Sequence, residues 1–315
     1  MRKIIMDCDP GHDDMVAMVI AFASRQLQVM AVTTCAGNQT QEKVNYNARK
    51  ILSFLGIQDV PVARGCEKPF CRPLRVAEHA HGVSGLDGAD IGEPQFESVP
   101  QHAVELMRDI LQRSDDKITI VATGPLTNVA MLLTLYPHLK NKIECISFMG
   151  GSAYSGNVTA RAEFNILVDP ESAKVVMGSG VPLIMCGLEV THKALMRPVD
   201  IERLRAVGNK LSTAMADLIS FYRKSAKAPL FAPTDFVIGA YMHDPCAVAI
   251  LLEPQRFQTA DLFGDIELSG QYNVGSTVID VSHALEKEPN VKVAFDVDSE
   301  WMINLIIQSA AHYRD

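Results

Sequence analysis

The stretch Ile4-Ile5-Met6-Asp7-Cys8-Asp9-Pro10-Gly11-His12-Asp13-Asp14 decides the fold of this chain, because an apolar strand leads directly into four carboxylates. Pro10 and Gly11 turn the chain sharply, so acidic side chains on both sides of the turn can converge on one point. Without a cation these carboxylates would repel one another, and calcium and magnesium prefer such oxygen ligands. Asp13 and Asp14 also suit a helix N-terminus, where the helix dipole favours acidic residues. Helix capping explains only part of the motif, and we therefore predict a metal site.

The composition limits the class of protein. With 315 residues, 48% of them hydrophobic, the chain can form one large globular domain or two closely packed ones. The net charge of −8 is spread without a basic block, which argues against nucleic acid polymers as partners. Seven scattered cysteines are typical of reduced thiols in a cytoplasmic protein. Asp7 interrupts the first apolar run and no apolar stretch is long enough to span a membrane, so we expect a soluble protein without a signal peptide.

Short apolar runs with strand character alternate with helical patterns through the first two thirds of the chain. The predicted strands are Lys3–Cys8, Val29–Thr34, Ile118–Ala122, Cys145–Met149 and Pro182–Cys186. The predicted helices include Gln41–Leu55, Ala103–Leu111 and Pro170–Met177. Strands that are apolar on both faces and separated by helices indicate a parallel sheet covered on both sides. We therefore predict an α/β fold with an open, mostly parallel sheet flanked by helices.

The segment Arg256–Asp298 has a different pattern from the rest of the chain. Its strand-like stretches are Asp265–Leu268, Thr277–Val281 and Val291–Val297, and a closing helix begins at Ser299. We interpret this segment as a small antiparallel C-terminal appendage on the same domain. Because no repeat, linker or clear boundary interrupts the sequence, we expect residues 1–315 to form a single domain.

Polar motifs follow several of the predicted strands at the point where each strand ends. The acidic motif follows the first strand, Asn38 follows the second, and Thr123 follows Ile118–Ala122. Asn38 also suits a turn and Thr123 a helix N-cap, and Thr123 can in addition offer a backbone carbonyl to calcium. Since ligands bind outside the carboxyl ends of strands in such sheets, the shared position at one rim favours a functional role.

A second polar group lies in the segment Gly156–Asn165. Asn157, Glu163 and Asn165 can together donate and accept hydrogen bonds to several hydroxyl groups, as a sugar requires. Phe164 and the apolar residues that follow Asn165 indicate that the segment is partly buried. Because a buried carboxylate without a partner is costly, we expect a bound hydroxyl group to be the partner of Glu163.

Histidines occur in two further motifs. His243 and Asp244 precede Pro245 and an apolar helical pattern, in which Asp244 suits the N-cap and Pro245 the first helical position. From the local sequence alone, helix capping explains this motif about as well as a functional role does. The motif His79-Ala80-His81-Gly82 has too few ligand types for a transition-metal site, and it instead indicates a flexible glycine-rich loop at the active site.

Taken in series, these motifs resemble the inosine–uridine nucleoside hydrolase family. The motifs that carry the resemblance are DCDPGHDD, GNQT, VATGPLTN, MGG, GN followed by AEFN and DP, and HDPC. They cover nearly the whole chain in order and at appropriate spacing, and the opening motif is highly specific. Two other stretches, residues 187–193 and 202–209, are most similar to the bacterial branch that prefers uridine and cytidine.

The resemblance implies an open α/β fold that binds calcium at the carboxyl rim of its sheet and hydrolyses ribonucleosides to ribose and free base. The implied metal ligands are Asp9, Asp14, the Thr123 carbonyl and Asp244. The implied substrate contacts are Asp13, Asn38, Asn157, Glu163 and Asn165 at the ribose, and His81 and His243 near the base, with Phe164 a further contact. A homo-oligomer, either a dimer or a tetramer, is also implied.

The implied mechanism uses a calcium-bound water as the nucleophile at C1′ and passes through an oxocarbenium-like transition state. Asp9 is our choice for the base that takes the proton of this water, and His243 falls on the leaving-group acid of one family branch. Some family members carry tyrosines shortly before the histidine–aspartate pair, whereas Ser225–Phe236 contains none. The sequence therefore leaves base recognition and the leaving-group acid open.

Two other functions are alternatives. A phosphatase of the haloacid-dehalogenase type also opens with Asp-x-Asp, so Asp7 would be the nucleophile, Asp9 the acid and magnesium the metal. The chain argues against this function, because Gly11 stands where that family has Thr or Val and Asp13 follows too soon for its distant metal motif. A calcium-dependent nucleoside-binding protein without turnover would need a lost base or acid, and the sequence retains both.

Overall fold

The apolar strands organise the chain around a central sheet in the computed structural model, which describes residues 1–225 and 239–314. The strands are β1 (Arg2–Cys8), β2 (Leu27–Thr34), β3 (Val62–Arg64), β4 (Ile118–Ala122), β5 (Ile143–Met149), β6 (Leu183–Cys186), β7 (Leu195–Met196), β8 (Ala240–Tyr241), β9 (Phe257–Leu262), β10 (Gly264–Ile266), β11 (Thr277–Ile279) and β12 (Val291–Val297). The helices are α1 (His12–Ala23), α2 (Gln41–Phe54), α3 (Glu78–His81), α4 (Ala103–Arg113), α5 (Thr127–Leu135), α6 (Phe164–Val168), α7 (Pro170–Met177), α8 (Leu188–Thr191), α9 (Pro198–Arg205), α10 (Lys210–Tyr222), α11 (Pro245–Leu252) and α12 (Ser299–His312).

Within the described residues, the central sheet has eight strands in the order β3-β2-β1-β4-β5-β6-β12-β9. Neighbouring strands are parallel except for the pair β12 and β9. Ile4 and Met6 of β1 pack into one apolar core with α1, α10, α11 and α12, whereas Ile5 packs into a second core with α4, α5 and α7. Side chains alternate across a strand, so a strand covered on both faces must be apolar at every position. The predicted fold class is confirmed.

The C-terminal segment differs in part from the predicted appendage. The pair β10 and β11 forms the expected small antiparallel sheet. The strand Val291–Val297, however, enters the central sheet, where it runs parallel to β6 and antiparallel to β9. The sequence pattern missed β9 because Gln258 and Thr259 are exposed on this edge strand and interrupt its apolar character.

The strand register places the polar motifs at one rim of the sheet. Cys8 pairs with Thr34 and Asp7 with Ala122, so β1, β2 and β4 end at the same level. The backbone N–H of Thr123 donates to the Asp7 carbonyl at 2.9 Å, which joins the loop after β4 to the end of β1. The loops that carry the acidic motif, Asn38 and Thr123 therefore meet above the carboxyl ends of adjacent strands.

Candidate active site

The loops after β1 and β2 are held together by Asn38. Its backbone N–H donates to Asp9 Oδ2 at 2.6 Å, and its side-chain Nδ2 donates to the Asp9 carbonyl and to Asp14 Oδ2, both at 3.2 Å. The loop after β4 joins them, because Thr123 Oγ1 donates to Asp14 Oδ1 at 2.7 Å. All four side chains are buried, so these bonds fix the carboxylates rigidly at the rim of the sheet.

A carboxylate from a distant segment completes the cluster. Oxygens of Asp13, Asp14 and Asp244 all lie within 4.8 Å of one another, close enough to hold one metal ion. The backbone N–H groups of His243 and Asp244 face Asp13 and lower its pKa, which places the start of α11 against α1. Asp14 and Asp244 lie within hydrogen-bonding distance of each other, an arrangement that requires a shared proton when no cation is present.

The electrostatics of the cluster favour a bound cation. Burial, together with the charge of Asp14, raises the pKa of Asp13 to about 7 and raises the pKa of Asp9 well above its ordinary value. The pKa values of Asp14 and Asp244 are also raised, chiefly by burial. Oδ1 of Asp9 is buried and has no hydrogen-bond partner among the described residues. An unpartnered oxygen next to mutually repelling carboxylates fits a hard divalent ion.

A cavity of about 140 Å³ opens above the carboxylate cluster. Ten of the predicted site residues line it: Asp13, Asn38, His81, Thr123, Asn157, Glu163, Phe164, Asn165, His243 and Asp244. Asp9 and Asp14 are fully buried and lie beneath it, joined to its wall through Asn38 and Thr123. The structure thus brings the predicted metal ligands and the predicted substrate contacts together at one place.

Glu163 is buried, and its carboxylate has partners within the chain, which the sequence did not predict. Its Oε1 accepts from the backbone N–H of Asn165 at 2.9 Å, and its Oε2 accepts from those of Gly151 at 2.9 Å and Ile166 at 3.2 Å. Glu163 therefore caps α6 and has its partners within the chain, so burial alone does not require a bound hydroxyl group. Burial nevertheless raises its pKa, and the side chain lines the cavity.

The two asparagines of the same segment have different surroundings. Asn165 is buried, and its Nδ2 donates to the Thr123 carbonyl at 2.7 Å and to the Met149 carbonyl at 3.2 Å. Asn157 is exposed at the mouth of the cavity, and its Oδ1 accepts from the backbone N–H of Phe164 at 3.1 Å. Asn165 thus lies at the metal end of the cavity, because it contacts the carbonyl predicted to bind the ion.

His243 and His81 line the cavity as uncharged rings. His243 Nδ1 and Thr191 Oγ1 share a hydrogen bond of 2.7 Å, and burial lowers the pKa of His243 to about 3, with a further contribution from the nearby His192. Burial also lowers the pKa of His81 well below its usual range. The lowered pKa values favour the neutral form of both imidazoles at pH 7.

The sequence did not assign Tyr222, Thr191 or His12 to the site. Tyr222 lines the cavity, Thr191 contacts His243, and His12 contacts His81. Tyr222 stacks on His81 with ring centroids 5.0 Å apart, and Thr191 holds His243. His12 stands inside the opening motif, where Asp13 and Asp14 indicate metal binding and no local pattern assigns a role to the histidine. The segment Ser225–Phe236, which lacks tyrosine, lies outside the described residues except for Ser225.

Asp7 does not belong to the cavity. It is buried, its Oδ1 accepts from Thr33 Oγ1 at 2.6 Å and from Asn128 Nδ2 at 2.8 Å, and burial raises its pKa to about 6. A nucleophile must reach its substrate as an ionised group, so this position argues against the phosphatase alternative. In the described part of the chain, no helix has the length and apolar composition of a membrane span.

Comparison with known proteins agrees with this geometry. Residues 4–304 match the model of the family described as inosine-uridine preferring nucleoside hydrolase. The chain is 45% identical to a pyrimidine-specific ribonucleoside hydrolase RihA of Photobacterium profundum, with 99% of each chain covered, and 46% identical to the protein of the same name in Salmonella typhimurium, with 98% of each covered. A purine-preferring ribonucleoside hydrolase from Gardnerella vaginalis has a similar structure, with a TM-score of 0.90, 29% identity and 98% of each chain covered. The chain therefore belongs to the inosine–uridine preferring nucleoside hydrolase family and is a ribonucleoside hydrolase.

Proposed function

We propose that this protein hydrolyses the N-glycosidic bond of pyrimidine ribonucleosides, giving ribose and free uracil or cytosine, with calcium as its cofactor. The observation that carries the proposal is the buried carboxylate cluster at the base of a cavity whose walls present hydroxyl-binding side chains. The pyrimidine preference is supported by relatives that are 45–46% identical and named pyrimidine-specific. The structurally similar purine-preferring enzyme is more distant, at 29% identity.

The metal site consists of oxygen donors only. Asp9, Asp14, Asp244 and the backbone carbonyl of Thr123 are the proposed ligands, and calcium accepts both carboxylate and carbonyl oxygens. The unpartnered Asp9 Oδ1 supports this assignment, because binding to a cation would satisfy it. Oxygens of Asp13 lie within 4.8 Å of those of Asp14 and Asp244, and we assign Asp13 to the substrate. When bound, the ion would hold a water molecule and the ribose hydroxyl groups and would lower the pKa of that water.

Asp9 is the proposed base. The backbone N–H of Asn38 fixes Oδ2 at 2.6 Å and so orients the carboxylate. Oδ1 has two lone pairs, so it can bind the ion with one and take a proton from the attacking water with the other. Burial and the charge of Asp14 raise the pKa of Asp9, which favours proton uptake. Positive charge builds on the ribose as the bond from C1′ to the base breaks, and the surrounding carboxylates stabilise that charge until the water attacks C1′.

The ribose contacts are proposed to be Asp13, Asn38, Asn157, Glu163 and Asn165. Four of the five are buried, and hydrogen bonds to the backbone or to other site residues fix their orientation. A preorganised set of this kind can hold the sugar so that C1′ faces the water, which lowers the entropy lost on reaching the transition state.

At the base end of the cavity, Phe164 and His81 contact the nucleobase, and His243, the proposed leaving-group acid, acts on it through the Nε2–H of its neutral ring. Thr191 holds Nδ1 of His243, which leaves Nε2 for the leaving group. The departing base gains negative charge as the glycosidic bond breaks, so a hydrogen bond from His243 strengthens toward the transition state.

We also propose that the enzyme is a cytoplasmic homo-oligomer, a dimer or a tetramer, that acts in nucleoside salvage. The seven cysteines are all free thiols, which suits a reducing compartment. Light scattering of the purified enzyme will measure the number of chains per particle.

The decisive experiment is a panel of ribose-release assays with uridine, cytidine, inosine and adenosine, run with calcium and after chelation. We expect the highest kcat/KM for uridine or cytidine and activity that chelation removes and calcium restores. Equal or faster hydrolysis of inosine would overturn the pyrimidine preference. Full activity after verified removal of divalent metal would overturn the proposed cofactor.

A further inference from the structure

The loop that follows His81 is closed by its own hydrogen bonds. This loop, residues 82–88, leads away from the cavity wall at the end of α3. The carboxylate of Asp87 accepts from the backbone N–H of Val83 at 3.0 Å and from that of Ser84 at 3.1 Å, which joins the two sides of the loop. His81 lines the cavity, and its position therefore depends on where this closed loop is held.

A row of side chains from α2 and the turn before it holds the loop in place. Gln39, Lys43 and Asn47 are spaced four residues apart, which places them on one side of this segment. Gln39 Nε2 donates to the first two carbonyls of the loop, at 3.2 and 3.1 Å, and Lys43 Nζ donates to the second at 2.5 Å. Asn47 Nδ2 donates to the third, that of Ser84, at 2.9 Å. Three consecutive carbonyls are thus bound by a single row of side chains.

Asn47 differs from the other two because it also binds the opening motif. Its Nδ2 donates to the Pro10 carbonyl at 3.1 Å as well as to Ser84. A carbonyl oxygen only accepts, so both bonds have a definite direction and use the two hydrogens of the amide. Asn47 is buried, and a Cβ at Gly85 would lie 2.9 Å from its Nδ2. Gly85 has a φ of +86° and no side chain, which lets the loop close on the amide.

The two carbonyls bound by Asn47 lie on the two sides of His81. Pro10 precedes Gly11, and a Cβ at Gly11 would lie 2.5 Å from His81 Nδ1, so the imidazole packs directly on this turn. Ser84 stands three residues after His81 in the closed loop. One amide therefore fixes the loop to the turn on which the ring packs. Asn47 itself is not among the described residues that line the cavity, so it can act on a substrate only through its neighbours.

We propose that Asn47 is a positioning residue for base recognition, whose amide ties the turn at Pro10 to the loop after α3 and so holds His81 where it meets the nucleobase. The inference rests on the proposed function, in which His81 contacts the base. It also gives the segment around the start of α2 a part at both ends of the cavity, because Asn38 fixes the carboxylates one residue before the row begins.

Substituting Asn47 with alanine removes both bonds, and the full-length, calcium-loaded variant can be assayed with uridine and with p-nitrophenyl riboside. On uridine we expect kcat/KM to fall roughly 10- to 100-fold, the usual effect of losing one or two hydrogen bonds in a buried site. On p-nitrophenyl riboside the loss should be much smaller, because that substrate has no nucleobase for His81 to bind. Asn47→Ser can donate to only one of the two carbonyls, so it should give an intermediate loss on uridine, and it replaces the alanine variant if that variant does not fold.

Asn45→Ala is the matched control. Asn45 is buried on the same helix, and in the described part of the chain its side-chain hydrogen bonds involve Thr34, Arg64 and Ser98 rather than residues 82–88. The variant loses buried hydrogen bonds of the same kind, and it should change kcat/KM on the two substrates by the same factor. Equal losses on both substrates in Asn47→Ala as well would mean that Asn47 only stabilises the fold, and the proposal would fail.

A double-mutant cycle tests whether Asn47 acts through His81. In the His81→Ala background, Asn47→Ala should have little further effect on uridine hydrolysis, because the side chain that it positions is already missing. The same factor lost with and without His81 would overturn the proposal, since independent sites contribute additively. A fall in calcium affinity, measured by titration calorimetry, that matches the fall in kcat/KM would also overturn it, because Asn47 would then act through the metal end at Pro10.

Amide hydrogen exchange tests the anchoring without turnover. Residues 82–88 should exchange faster in Asn47→Ala than in the wild type, whereas the same loop in Asn45→Ala should exchange at the wild-type rate. Unchanged exchange of the loop in Asn47→Ala would overturn the proposal. Failure of the proposed function is a separate result, in which the wild-type enzyme releases ribose from neither uridine nor cytidine.

Discussion

Replacing Asp13 with asparagine tests whether the carboxylate cluster destabilises the fold when no cation is bound. Burial, together with the charge of Asp14, raises the pKa of Asp13 from 3.8 to about 7. At 1.36 kcal/mol per pH unit, this difference corresponds to roughly 4 kcal/mol. Asparagine has nearly the same volume and keeps an oxygen that can accept the backbone N–H bonds of His243 and Asp244, but it cannot ionise.

Protonated Asp13 favours the folded state. Because the folded pKa is raised, this contribution is fully present below about pH 4 and is lost as the pH rises through 7. Between pH 5 and pH 8, metal-free wild-type protein should therefore lose roughly 3 kcal/mol of stability relative to Asp13→Asn, at 1.36 kcal/mol per pH unit. Burial lowers the pKa values of His12, His81 and His243, so their contribution to the free energy of unfolding rises with pH. Because both proteins contain these three residues, this contribution cancels in the difference between them.

The assay is urea unfolding of chelator-treated wild type and Asp13→Asn at pH 5, 6, 7 and 8, with and without added calcium. Asp116→Asn is the matched control, because the Asp116 side chain is 71% exposed and its charge is screened by solvent. Calcium should stabilise the wild type more at pH 8 than at pH 5, since its ligands must be ionised to bind. If metal-free Asp13→Asn is no more stable than metal-free wild type at pH 8, the electrostatic account of the cluster is wrong.

Three further outcomes are expected. Asp14→Ala should abolish metal binding in elemental analysis and lower kcat/KM at least roughly 100-fold, because it removes a direct ligand. Retention of one calcium per chain would contradict the ligand assignment. 2′-Deoxyuridine should be hydrolysed with kcat/KM on the order of 10⁴-fold below that of uridine, since buried groups that bind the 2′-hydroxyl would lose their partner. Comparable kcat/KM values for the two substrates would refute the ribose contacts. His243→Ala should lower kcat on uridine by about 10²- to 10⁴-fold but leave kcat on p-nitrophenyl riboside nearly unchanged, because its leaving group is a stable anion. Equal losses of kcat on both substrates would assign His243 to positioning Asp244.

The sequence predicted the rim of the sheet well because each relevant residue is tied to the end of a strand. Asp9 follows β1, Asn38 follows β2 and Thr123 follows β4, and a parallel register brings such positions together whatever lies between them. The edge strand β9 was missed for the opposite reason. Its outward side chains are polar, so it lacks the continuous apolar run that identifies a strand buried on both faces.

Partners that are distant in sequence were harder to predict. Glu163 was expected to need a ligand, but the N–H of Gly151 satisfies it across a loop that no local pattern indicates. The pairing of His12 with His81 spans 69 residues and joins the first turn of α1 to α3. Neither element has an apolar periodicity that specifies its neighbour, so the contact became visible only in three dimensions.

The two ends of the cavity differ in the same way, because strand register sets one end and contacts between helix ends set the other. The proposed metal and ribose end is built largely on the loops that follow sheet strands, where the register of the sheet fixes their relative positions. At the proposed base end, His81 comes from α3 and Tyr222 from the end of α10, while Thr191 at the end of α8 holds His243. Helix ends can shift without disturbing the strand register, so base preference can change while the ribose chemistry is retained. Substitutions at Tyr222 should therefore alter the ratio of uridine to inosine hydrolysis more than they alter calcium binding.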